Sequence, residues 1–233
     1  MQRKTFLAAS ATIAALGASA CATGAASELE IVEPASEFDY GALKKLVDKP
    51  ADVHQLWDVA ANPPAALSEI KNALNGYQFG YGIKPNRIAM VACLHSVGNI
   101  IAYDNAAWQK YNFGDSFGVK DRSGNSIATN IFAHARTEPN PNADPNDPKG
   151  MYQDPTLETL QRRGVVFLLC HAGAAEHARM LAENGAAQGM TPAAVLRDLL
   201  SHIVPGVLVV PSAVATIGLL QNRFRYSYTA VVA

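Results

Sequence analysis

The 233-residue chain carries little charge and little cysteine: 17% of its residues are charged, the formal net charge is -1, and Cys occurs 3 times. So even a balance excludes recognition of nucleic acid through a basic surface. Three cysteines are too few for a disulfide scaffold, and 17 glycines without a triplet period exclude a collagen-like chain. With 49% hydrophobic residues the chain does not have the composition of a disordered one. A chain of this length can bury a full core without staples, as one domain or one domain with an appendage. Familiar motifs are missing too: Gly-x-Gly-x-x-Gly, Gly-x-x-x-x-Gly-Lys, Gly-x-Ser-x-Gly, His-Glu-x-x-His, Cys-x-x-Cys and Cys-x-x-Cys-His. These absences argue against nucleotide, acyl-transfer and c-type haem chemistry, and no cofactor is implied. There is no internal repeat.

What is present begins with an address. Arg3 and Lys4 precede an Ala-rich apolar run from Phe6 to Leu16, followed by small residues with cleavage-site character at Ala18-Ser19-Ala20 or Ala20-Cys21-Ala22. Residues 1–26 therefore read as a secretory signal peptide, too short to span a bilayer. Arg3-Lys4-Thr5-Phe6-Leu7 resembles a twin-arginine motif with Lys as its second basic residue. Ala18-Ser19-Ala20-Cys21 resembles a lipobox, the alternative reading being a lipoprotein anchored at Cys21. Removal of 1–26 leaves 17 basic against 20 acidic residues, or -3, and two cysteines, Cys93 and Cys170. The expected location is periplasmic or secreted, where disulfides persist. No transmembrane segment is expected, since the most apolar later stretch, Val204 to Leu220, is broken by Pro205 and Pro211.

Residues 27–37 read as a linker and 38–85 as an N-terminal extension, with a helix over Tyr40–Val47 and a strand or helical turn over Val53–Val59. Asn62, Pro63 and Pro64 open a helix that Gly76 ends. Arg87–Leu94 is an apolar run of strand length, and Ser96 caps a helix with Val97, Ile100, Ile101, Trp108 and Tyr111 at helical spacing. The stretch 112–155 holds five prolines among many Asn, Asp and Gly, and reads as a long insertion, either functional or simply solvated. Within it Ile127–Phe132 is a candidate strand. Regular elements then return: a helix over Thr156–Arg163, a strand over Gly164–Cys170, helices over Ala172–Asn184 and Pro192–His202, a strand over Val207–Val210, a helix over Ser212–Asn222 and a strand over Tyr226–Val232. Apolar strands alternating with helices predict an α/β fold with a mainly parallel sheet and helices on both faces.

Two cysteines stand at matching places. Cys93 closes one apolar strand with His95 two residues on, and Cys170 closes another with His171 next. Reactive groups of parallel sheets gather at the carboxyl ends of strands, and a helix N-terminus there favours a thiolate. The competing reading is two inert buried thiols, since free Cys is among the most buried residue types. Together Cys93, His95, Cys170 and His171 also have the composition of a tetrahedral two-Cys, two-His metal site, although no local spacing motif supports one. His177 lies six residues from His171, not at the spacing of two ligands on one helix face. If the two strands are direct neighbours, Cys93 and Cys170 have the option of a disulfide.

The spans Gly164–Leu181 and Asp198–Tyr228 resemble the DsrE/DsrF-like proteins: a strand ending in Cys170, a helix, then Val210-Pro211-Ser212-Ala213-Val214, Gln221 and the aromatic Tyr226-Ser227-Tyr228. The first strand with His95 is similar to that family's opening strand and its His. The likeness covers roughly 86–233, interrupted by 112–155. It implies a parallel α/β sandwich, often a homo-oligomer, in which a Cys at the position of Cys170 carries persulfide sulfur between partners. The substrate would be a small sulfur compound or a thiol of a partner protein, with Cys170 free and His171 able to take its proton. The alternatives are a non-catalytic binding or assembly module of the same fold, or the metal-binding protein.

Overall fold

The computed structural model describes residues 29–231 apart from 30, 33, 34 and 62. The signal-peptide reading over 1–26, Cys21 with it, lies outside the described residues, as do Asn62 and part of the linker 27–37. The order is α1 (Tyr40–Val47), β1 (Val53–Val59), α2 (Pro63–Asn75), β2 (Ile88–Leu94), α3 (Asn105–Lys110), α4 (Phe113–Ser116), α5 (Leu157–Arg162), β3 (Val165–Cys170), α6 (His171–Glu183), α7 (Pro192–Ser201), β4 (Leu208–Val210), α8 (Ala213–Phe224) and β5 (Ser227–Ala230). The strands form one sheet in the order β4-β3-β2-β1-β5, and every pairing is parallel. This is the expected α/β fold with a parallel sheet.

Alternation along the strands sorts side chains to two cores. Leu56, Val91, Cys93, Leu168 and Val210 pack beneath Leu43 and Val47 of α1 and Ile217 and Leu220 of α8. Trp57, Met90, Leu94, Phe167 and Leu169 face the opposite way, against α2, α5, α6 and α7. Both faces of β2 and β3 are covered, which is why these strands read as unbroken apolar runs. Phe167, Leu168 and Leu169 are fully buried, each contributing roughly 1.5–3 kcal/mol of transfer free energy. β5 is an edge strand and stays largely exposed.

The segment 38–85, set apart from the domain by sequence, belongs to the sheet: β1 pairs with both β2 and β5. The chain after β2 also differs from expectation. A 3-10 helix (Ser96–Ala102) precedes α3, in place of one continuous helix. The turn passes close to the end of β1: a Cβ on Gly98 would lie 1.9 Å from the carbonyl oxygen of Val59, so this position takes only glycine.

The stretch 112–155 has no strand over 127–132; it is organised by side chains instead. Buried Asn130 donates to the carbonyls of Ile101 (2.8 Å) and Tyr103 (2.6 Å) and accepts from the N–H of Phe132 (2.9 Å). Buried Asp154 accepts from the N–H groups of Arg136 and Thr156 and the hydroxyl of Thr159. Buried polar groups need partners, and these two supply them for a segment without a ladder of its own.

Candidate functional site

Cys170 ends β3 and is the N-cap of α6. Its Sγ accepts two backbone N–H groups, from Gly173 and from Ala213, each at 3.3 Å. Gly173 lies in the first turn of α6 and Ala213 opens α8, so two helix N-termini meet at one sulfur. Backbone donors at a helix start carry partial positive charge and complement an anion. The second helix arrives there because Pro211 closes β4 and Ser212 caps α8, with the N–H of Ala172 donating to the Pro211 carbonyl at 3.2 Å.

The backbone of Cys170 is fixed independently. Asn99, fully buried, donates from Nδ2 to the Cys170 carbonyl (3.0 Å) and accepts at Oδ1 from the Cys170 N–H (3.2 Å). Gly173 leaves room for this amide: a Cβ there would come within 2.7 Å of Asn99 Nδ2.

His95 lies one step past Leu94, which pairs with Leu169 in the ladder. His95 therefore stands level with Cys170 on the neighbouring strand, and its N–H continues the ladder to the Val59 carbonyl at 3.1 Å. Alternation puts Asp58, His95, Cys170 and Tyr228 on the same face of the sheet as Leu56 and Cys93. His95 Nε2 meets Asp58 Oδ1 at 2.6 Å, and the Tyr228 hydroxyl donates to Asp58 Oδ2 at 2.6 Å. That hydrogen bond, with a minor contribution from burial, holds the Tyr228 phenol above its ordinary pKa.

A cleft of about 820 Å³ opens over Cys170. Its lining includes His95, Ser212 and His177, with apolar Val97, Phe117 and Met180 along the walls. Ile31, from the described part of the segment read as a linker, lines it too. His177 packs tilted against Phe117 at 4.6 Å between ring centroids, and burial pushes its pKa down to about 4, an effect its hydrogen bond to the Ser96 backbone only partly offsets.

The other sequence candidates fall elsewhere. Cys93 is not the last residue of β2 and is fully buried, and burial pushes its thiol pKa up. The 3-10 turn after β2 gives it no helix N-terminus. Its strand does neighbour that of Cys170, but Cys93 pairs with Leu168, two residues short of Cys170. Diagonal neighbours lie about 7–8 Å apart, beyond the reach of a disulfide, and both thiols are free. His171 is buried in the first turn of α6, its Nδ1 has no hydrogen-bond partner, and it is not among the residues lining the cleft. Among the described residues no group of three or more His, Cys, Asp and Glu side chains is arranged to hold a metal ion.

Sequence reasoning missed Asp58 and Asn99 and set His177 aside on its spacing from His171. Asp58 had one local signal, an acidic residue near the end of the strand Val53–Val59. Asn99 had none, because only the 3-10 turn brings it to Cys170. His177 lies on the stripe of α6 that holds Cys170 and Gly173 at i, i+3 and i+7, a spacing that one-turn ligand pairs do not show. No helix of the described residues is long and apolar enough to cross a membrane. No family model, curated protein or solved structure matches the chain.

Proposed function

We propose that this is an exported thiol protein of the DsrE/DsrF-like kind, which accepts and passes on sulfur at Cys170. The observation that carries the reading is a sulfur at a cleft floor met by two backbone N–H groups from two helix starts. In the reaction the Cys170 thiolate attacks the outer sulfur of an organic persulfide. A Cys170 persulfide forms, the S–S bond of the donor breaks, and the donor leaves as a thiolate that takes up a proton. A partner thiol then removes the sulfur in the same way. No resolving thiol stands within reach among the described residues, since Cys93 is buried two register positions back, so the second thiol belongs to a partner. The cleft is far larger than one sulfur atom requires and takes the organic part of a small sulfur compound or a segment of a thiol-bearing protein. A homo-oligomer, working in the periplasm or outside the cell, completes the proposal.

Alkylation of the native protein at neutral pH, followed by peptide mass analysis, is the test. Cys170 is expected to react on the order of a thousandfold faster than Cys93, whose labelling requires opening of the core. Labelled Cys93 with unlabelled Cys170, or no labelling of either thiol, would replace this reading by that of a non-catalytic binding module.

A further inference from the structure

We infer that Asp58 is a positioning residue: it fixes His95 so that Nδ1 is the proton-accepting nitrogen at the Cys170 site, and Tyr228 in turn fixes Asp58. This rests on the thiol reading of Cys170. The four side chains come from four adjacent strands in the order β3-β2-β1-β5 and project to one face of the sheet. Asp58 is four-fifths buried and accepts from His95 Nε2 and from the Tyr228 hydroxyl on separate oxygens, at 2.6 Å each. A carboxylate can only accept, so the nitrogen facing it must carry hydrogen, which leaves Nδ1 of a neutral His95 with the lone pair. A ring without this partner exchanges between tautomers and turns freely. Asp58 also sits where the strand order reverses, between β1 and β5, the place where open parallel sheets build their sites. In the transfer step the Cys170 S–H bond breaks, its proton passes to Nδ1, and the positive ring is stabilised by Asp58. When the donor thiolate leaves, the proton returns to it.

Two readouts on the full mature chain test the inference: the ¹⁵N signals of the His95 ring and the rate of Cys170 alkylation by iodoacetamide. The wild type is expected to show hydrogen on Nε2 and none on Nδ1. Asp58→Asn, isosteric but able to donate, should move hydrogen to Nδ1 and slow alkylation on the order of tenfold. Tyr228→Phe keeps the half-exposed ring and removes only the outer hydrogen bond. It should leave the tautomer in place with a slowing of roughly twofold to threefold, and it serves should Asp58→Asn fail to fold. Unchanged ring signals and wild-type rates in both variants, while His95→Gln slows the reaction, would overturn the role of Asp58 and leave the thiol reading standing. A wild-type Cys170 that does not react at all would overturn the thiol reading itself.

Discussion

β2 and β3 each carry a cysteine at or next to the last residue, on adjacent strands and on the same face of one sheet, and the two differ in what meets the sulfur. Cys93 is fully buried among Leu56, Val91 and Leu168, with its thiol pKa pushed up by burial. Cys170 lies two register positions further along in the same buried cluster, 5% exposed, with two backbone N–H groups on its sulfur and a cleft above it. The difference originates in the element that each strand runs into. After β3 the chain enters α6 at once, with Cys170 as its N-cap; after β2 it enters a 3-10 turn squeezed against the end of β1. Of the two cysteines, only Cys170 has an α-helix starting on it.

The largest effect that would break this comparison comes from Asn99. Asn99→Ala leaves the N–H and the carbonyl of Cys170 buried without partners, and urea denaturation should register a loss of about 3 kcal/mol. A loss near zero would mean that Cys170 is not held by this clamp. Next comes His177, on the helix that Cys170 caps. The unfolded chain protonates this ring near its ordinary value of 6.5, whereas the folded protein resists until about 4. The unfolded state therefore binds more protons as pH falls through that window, and stability drops with it, by up to about 2–3 kcal/mol between pH 6.5 and 4. His177→Phe should flatten that slope, and an unaltered slope would assign the acid sensitivity to other groups. The smallest effect sharpens the comparison directly. Cys93→Ser buries a hydroxyl among apolar side chains and should cost about 2 kcal/mol. Cys170→Ser keeps an acceptor for the Gly173 and Ala213 N–H groups and should cost less than about 1 kcal/mol. Equal costs in thermal or urea melts would show the two surroundings to be alike.

Much of the framework was legible along the chain. The apolar runs of β2 and β3 mark strands covered on both faces, and their alternation with capped helices implies a parallel sheet. Thr191 accepting from the N–H of Ala194 and the left-handed Gly185 after α6 are local events, readable because a cap or a helix end involves only near neighbours. β1 was harder to read, since its mixed sequence fits a strand bounded on one side by exposed β5. The 3-10 turn after β2 was not legible, because its apolar spacing resembles that of an α-helix and its close approach at Gly98 is to a different strand.

Hydrophobic period, cap residues and position at strand ends sufficed for the class of fold and for narrowing attention to Cys93, His95, Cys170 and His171, since all of these act over a few residues. Which cysteine faces the cleft, which histidine accompanies it and what holds each in place were settled only by the folded sheet. Register between β2 and β3 separates Cys93 from Cys170 by two positions; strand order brings Asp58 beside His95 and Tyr228 beside Asp58; and the packing of α8 against β3 delivers a second backbone donor to the sulfur. These are contacts between residues 37 to 170 positions apart in the chain, and no local preference encodes them, because each exists only once the sheet has closed the distance.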